Sequence, residues 1–345
     1  MSSETGSAQS MGIGVGLTPF ETRSDVVVRI AQLADERGLD FVGVAEGWTY
    51  DSLIVLAEIA LRTSRIRLGS IVLNVLGRTP ATIALGAAGL QRCSDGRFTL
   101  GVGAGSPALA EGFHGVAWSG AVARTRETVV AVRALLDGER FPSPVNGTRA
   151  LRLGALPDVP LPIALAALSP SSIRLAGELA EDWVPFLWAR SQLDSGRGLL
   201  ASGEARATSA TSTRVCPAVP VALASTEDGA RALAAWWLAT YATRMGPLYP
   251  RMLSKRFGFG SELNAVVEAS ADGASPTLPA AADALANEVT MMGTYDGAGA
   301  AIAAWFQAGA DAVNLTLPPG RPEAELIEIV ETAAEVRRSI TAAPR

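Results

Sequence analysis

The chain has 345 residues, 48% of them hydrophobic, and a formal net charge of −5 at pH 7. That length and apolar content suit one large buried core, and the acidic balance speaks against a nucleic-acid or anionic-membrane surface. No apolar stretch reaches the ~18 residues that span a bilayer, and the opening "MSSETGSAQS" has neither a basic head nor an apolar run, so a cytoplasmic setting and a small-molecule partner are expected.

Residues 1–10, small and polar, are read as a disordered leader, and residues 11–345 as a single domain. Four short apolar runs follow, 12–18, 41–46, 66–73 and 98–105, each trailed by helical periodicity. Ser24 is placed to cap the helix that ends at Gly38, and Thr79, followed by Pro80, to cap the next but one. Strand followed by helix, repeated, implies parallel pairing. Further runs at 161–168, 181–186, 214–224 and 311–318 bring the count to eight, which makes the chain an α/β protein of the (β/α)8 TIM-barrel type, with an open doubly wound sheet as the rival. Two insertions break the rhythm. Residues 138–160 are turn-rich and read as a hairpin-like excursion; residues 246–285 carry aromatics and bases and read as a long lid or binding loop.

In a parallel barrel, chemistry gathers at the strand C-termini and the loops after them. Glu46 and Trp48 follow the second strand, Asn74 the third, "GVGAGSP" the fourth and "SPSS" the fifth. Glu46 is a general acid–base candidate, with a salt bridge or helix cap as its plainer use. Trp48 offers a flat wall for a ring, or ordinary packing. Gly101, Gly103 and Gly105 would let the backbone approach a ligand, although no acidic residue closes a compact dinucleotide-binding unit after them. Ser169, Ser171 and Ser172 gather at a helix start, where free N–H groups favour a phosphate and where one serine would suffice as a cap. Arg251, Lys255 and Arg256 give the 246–285 insertion a positive edge, fit for an acidic ligand tail or simply for solvent. His114 reads as a loop hydrogen-bonding residue, Arg126 as structural, and Cys93 and Cys216 as buried small side chains. With a single histidine and no ligand spacing between the cysteines, a metal site is not expected.

Glu46, "LGSIVLNVLGRTPATIA" (68–84), "GRFTLGVGAG" (96–105), "SPSSIRLAGELAEDW" (169–183) and "MMGTYDGAGAAIAAWFQAGADAVNL" (291–315) stand in one order over roughly residues 11–340. In that order the chain resembles the bacterial-luciferase-like oxidoreductases, nearest the deazaflavin-dependent branch that includes methylene-tetrahydromethanopterin reductase. The resemblance implies a bulge with a non-prolyl cis peptide joining Ile71 to Val72, which backs the central ring of an isoalloxazine or deazaflavin. It further implies that Asn74 aims its amide at the ring's polar edge, that Gly103, Ala104, Gly105 and Ser106 lie beside the cofactor, and that Ser169, Ser171 and Ser172 hold its phosphate. Glu46 then sits near the reactive ring, and Trp48, Arg251, Lys255 and Arg256 belong to the substrate side. Several relatives carry a histidine after the acidic residue; here Gly47 stands there, which leaves proton transfer to Glu46 or to the substrate. The implied activity is a coenzyme F420-dependent hydride transfer between the deazaflavin C5 and a carbon of a small organic substrate. The alternatives are an FMN-dependent monooxygenase using dioxygen and a flavin-binding barrel without turnover. Homodimers are common in that family, and exposed apolar residues are compatible with one.

Overall fold

The computed structural model describes residues 12–141, 148–207, 212–270 and 277–342. The expected leader and the middle of the 138–160 excursion lie outside them. In chain order the strands are β1 (Gly12–Leu17), β2 (Phe41–Val44), β3 (Arg67–Ser70), β4 (Leu73–Asn74), β5 (Phe98–Gly103), β6 (Ile163–Leu165), β7 (Asp182–Trp183), β8 (Arg214–Val215), β9 (Ala218–Ala224), β10 (Met291–Thr294) and β11 (Ala312–Thr316). The helices are α1 (Ser24–Glu36), α2 (Ser52–Arg62), α3 (Pro80–Cys93), α4 (Ala121–Leu136), α5 (Pro170–Leu179), α6 (Leu193–Glu204), α7 (Glu227–Thr243), α8 (Leu248–Arg251), α9 (Gly260–Ala269), α10 (Asp283–Val289), α11 (Ala298–Gln307) and α12 (Glu323–Ala342). No helix among the described residues is long and apolar enough to cross a membrane.

All strand pairings are parallel and run from β1 through β2, β3, β5, β6 and β7 to β8, while β11 joins β9 to β1. β8 and β9 are one run of chain split at Pro217, which has no N–H to give a ladder. On one side of that split Cys216 N donates to Trp183 O and Ala218 N to Pro185 O, and on the other Asn314 N donates to Pro217 O. The same run thus touches the strand before it and the strand after it, and the sheet closes into the barrel expected from the eight apolar runs. Most of its strand residues are buried, all six of β1 among them, as a sheet wrapped in helices requires.

The structure corrects several local expectations. β10 was not expected as a strand: it lies outside the barrel, pairing Met291 with Val221 and Thr294 with Ala224, and its four residues, one of them glycine, are too few to show a period of two. The N-cap of α1 is Arg23 rather than Ser24, and Glu21 takes the Arg23 N–H instead of a serine taking one inside the helix. Thr79 does cap α3 by accepting from Thr82 N, with Pro80 at its first turn. Cys93 is exposed, because the buried stripe of α3 runs through Ile83, Ala87, Leu90 and Gln91 and leaves position 93 outside it; Cys216 is buried. The 246–285 insertion is largely helical, with α8, a π-helical turn over Met252–Arg256, α9 and α10 anchored by buried Leu253, Leu263 and Val266. In the described ends of the 138–160 excursion Phe141 N donates to Leu151 O at 2.8 Å, and no strand forms among the described residues.

Candidate active site

The third barrel strand holds an extra residue. β3 pairs Gly69 with Thr99, and β4 resumes with Leu73 opposite Val102, so four steps along one strand match three along the other. The peptide bond between Ile71 and Val72, inside this bulge, is cis. Ser70 repairs the interrupted ladder: its hydroxyl accepts from Gly101 N at 2.9 Å and donates to Gly101 O at 2.8 Å. Room for the bulge comes from glycines on the neighbouring strands. A Cβ at Gly16 would stand 2.8 Å from Ile71 Cδ1, one at Gly43 2.7 Å from the same atom, and one at Gly103 2.8 Å from Val72 Cγ2. Gly101 and Gly103, expected to let a ligand approach the backbone, are therefore first of all the seats of this kink. Gly105 (φ +77°) turns the chain against the Asn74 amide.

Above the bulge, at the C-terminal mouth of the barrel, lies a cavity of about 480 Å³. That is ample for a ring system with a substrate beside it. Asn74 is buried on its wall; Oδ1 accepts from Leu76 N at 2.8 Å, which fixes the amide and leaves Nδ2 buried without a partner. Thr316, ending β11, lines the same cavity with its Oγ1 likewise unpartnered. Buried donors and acceptors left without partners are costly, which sets these two atoms apart on the cavity wall.

Glu46 lines the cavity and is held from behind by Arg78, whose Nε reaches Oε1 at 3.1 Å and whose Nη2 reaches Oε2 at 2.5 Å. The same Nη2 meets Asp51 Oδ2 at 2.8 Å, and Asp51 caps α2 by accepting from Leu53 N. The Glu46 carboxylate strengthens the hold of Arg78 on its proton, against the opposing pull of burial, with Asp51 adding to it. A bidentate, buried pair of this kind fixes the carboxylate in one orientation.

α5 points its N-terminus at the cavity. Ser169 and Ser172 form a capping box and both line the cavity: Ser172 N donates to Ser169 Oγ at 3.2 Å and Ser169 N to Ser172 Oγ at 3.0 Å. The remaining wall is apolar and aromatic, built by Trp48, Phe186, Tyr241 and Tyr249. Burial pushes the hydroxyls of Tyr241 and Tyr249 up, so both remain neutral. Among the described residues no group of histidine, cysteine and acidic side chains could hold a metal ion.

Residues 6–312 match the luciferase-like monooxygenase family. The chain belongs to that family. A Mycobacterium tuberculosis protein provisionally named a coenzyme F420-dependent oxidoreductase is 27% identical over 342 residues, which cover 91% of this chain and 96% of the relative. The coenzyme F420-dependent tetrahydromethanopterin reductase of Methanopyrus kandleri superposes with a TM-score of 0.74 at 19% identity, over 93% of this chain and 97% of that one. The FMN-bound oxygenating constituent of 3,6-diketocamphane monooxygenase of Pseudomonas putida does so with 0.65 at 20% identity, over 95% and 98%. At such identities the two structures speak for the fold.

In this luciferase-like oxidoreductase the cavity gathers most of the residues singled out from sequence: Glu46, Trp48, Ile71, Val72, Asn74, Gly103, Ala104, Gly105, Ser106, Ser169, Ser172 and Arg251 all line it. Three do not. Ser171 is exposed at the outer edge of the α5 cap. Lys255 is exposed, because the π turn carries it outward. Arg256 lays its guanidinium 4.4 Å from the Trp188 ring centroid and donates to Leu168 O at 2.9 Å, bracing the insertion onto the barrel rather than meeting a ligand. His114 hydrogen-bonds in its loop through its backbone, N donating to Leu109 O at 3.1 Å, while its ring packs on Gly77, where a Cβ would come within 2.6 Å, and Nε2 is buried without a partner. Arg78, Phe186, Tyr241, Tyr249 and Thr316 escaped the sequence reading. Arg78 alone carried a signal, standing four residues after Asn74 in the stretch that leaves the bulge.

Proposed function

We propose that this luciferase-like protein is a coenzyme F420-dependent oxidoreductase that moves a hydride between the deazaflavin C5 and a carbon of a small organic substrate. The observation that carries the reading is the Asn74 amide, buried on the cavity wall beside the Ile71–Val72 bulge with Nδ2 free to donate. When bound, the deazaflavin supplies the ring carbon that exchanges the hydride. Ile71 and Val72 give the ring a rigid apolar back, and Asn74 Nδ2 donates to its polar edge. Ser169, Ser172 and the N-terminus of α5 hold the phosphate. Glu46, oriented by Arg78, presents its carboxylate to the reacting side and takes or holds the proton that accompanies the hydride. The name of the Mycobacterium tuberculosis relative supports the deazaflavin over FMN.

Fluorescence titration tests this. F420 should bind, and Asn74→Leu should weaken it by about tenfold through loss of one buried hydrogen bond. Tight FMN binding with none for F420 would move the chain to the FMN-dependent monooxygenases. Glu46→Gln should keep F420 affinity and lose most turnover of any substrate found; unchanged turnover removes Glu46 from proton transfer.

A further inference from the structure

One part of the cavity is lined by residues from the ends of β1 and β2, from α7 and from α8, and its chemistry is uniform. Glu46 and Arg251 are the only charged residues lining the whole cavity among the described residues. Glu46 is ion-paired with Arg78, which it shares with Asp51, and Arg251 is exposed at the mouth. The wall between them is made by Trp48, Phe186, Tyr241, Met245, Leu248 and Tyr249. Its rings stand edge to face: Tyr241 lies 5.0 Å from Tyr249 and tilts against Phe186 at 4.8 Å, and Phe20 holds Trp48 at 5.2 Å. Trp48 keeps 46% of its surface exposed, an indole offered to whatever enters. Ring edges and faces in this disposition receive another ring well.

A charged group drawn in here would lose its water and find Glu46 already committed to its ion pair with Arg78 and Arg251 only at the mouth. The polar groups available there are hydroxyls, those of Thr18, Tyr241, Tyr249 and, beside the end of β1, Thr316, which suit a neutral oxygen. We propose that the substrate is an uncharged, ring-bearing molecule carrying a single carbonyl or hydroxyl oxygen, and that Trp48 and Tyr249 select it. This rests on the cavity being the redox site proposed above.

The experiment is calorimetric titration of the F420-loaded protein with three probes: acetophenone, benzoate and glucose 6-phosphate. Acetophenone and benzoate share a ring and differ in charge, so their ratio isolates the electrostatic selection. Acetophenone should bind at least about tenfold tighter than benzoate, and glucose 6-phosphate should give no heat of binding. Trp48→Ala and Tyr249→Leu should each weaken acetophenone at least about fivefold, with thermal melts confirming that both variants fold. Benzoate or the sugar phosphate binding as tightly as acetophenone, no binding of acetophenone, or folded variants that both keep its affinity would overturn the proposal. Should F420 fail to load, the cofactor reading falls alone, and the same three titrations on the bare protein decide the substrate class.

Discussion

Gly101 has no room for a methyl group, because a Cβ there would collide with the Ser70 carbonyl oxygen and sit 3.2 Å from Val72 Cγ1. The obstacle is backbone, which cannot swing aside. Gly101→Ala should therefore lower the melting temperature sharply or abolish soluble expression, by an amount of roughly 3 kcal/mol or more, as overpacking of a rigid core does. Gly112, whose Cβ would meet nothing within 4 Å, supplies the control: Gly112→Ala should melt within a degree or two of the parent. Equal melting of the two would remove the bulge as the reason for glycine at 101. The same residue scale explains why Asn74 was legible in sequence and the pairing of Arg78 was not. A polar side chain ending an apolar strand stands out, whereas an arginine ahead of a helix cap looks like any solvated charge until Glu46 and Asp51 are seen on either side of it.

At the scale of elements, Asp35 near the end of α1 decides how the chain enters the third strand. Its buried carboxylate accepts from the backbone N–H of Ser64, Arg65 and Ile66, at 2.9, 3.0 and 2.7 Å. Burial alone would raise its pKa, but these three donors outweigh burial and hold the carboxyl below its ordinary range. Asp35→Ala leaves three N–H groups without their acceptor and should cost about 2 to 4 kcal/mol in urea unfolding; a loss below about 1 kcal/mol would show that water replaces the carboxylate. Elements of this kind were legible by pattern and not by partner. The eight apolar runs stood out because parallel strands covered on both faces are apolar throughout. β10 stayed hidden because four residues cannot show a period, and the insertion was read as a loop because its prolines and glycines masked helices only four to ten residues long.

For the whole molecule, paired carboxylates set the acid limit. Glu178 is held below its ordinary range by Arg126, which ties α4 to α5 with contacts of 2.5 and 2.7 Å. Glu21, against the upward push of burial, is brought below its range by Arg23 and by the backbone N–H of Gly320, and so links the loop after β1 to the loop after β11. A carboxyl whose folded pKa is depressed contributes stability that is complete above its unfolded value and is lost as pH falls through the folded one. The melting temperature should thus stay level from about pH 7 to about pH 5 and drop toward about pH 3, with a shallower drop in Glu178→Gln; a flat profile in the parent would contradict these pairings. The placement of the cavity at the strand C-termini followed from the barrel topology, while its aromatic wall did not, since Tyr241 and Tyr249 belong to the last turn of one helix and to the insertion, whose aromatics show no period that tells which of them turn inward. The seam at Pro217 carries one more implication. After sealing the barrel, β9 runs on past the rim, and residues 225–290 depart from its tip and return beside it at Met291, opposite Val221. That cassette brings Tyr241, Met245, Leu248, Tyr249 and Arg251, while Ile71, Asn74 and the α5 cap lie wholly outside it. Grafting the equivalent stretch from a relative onto these two anchor points would replace one wall of the cavity and leave the bulge, Asn74, Trp48 and the α5 cap in place.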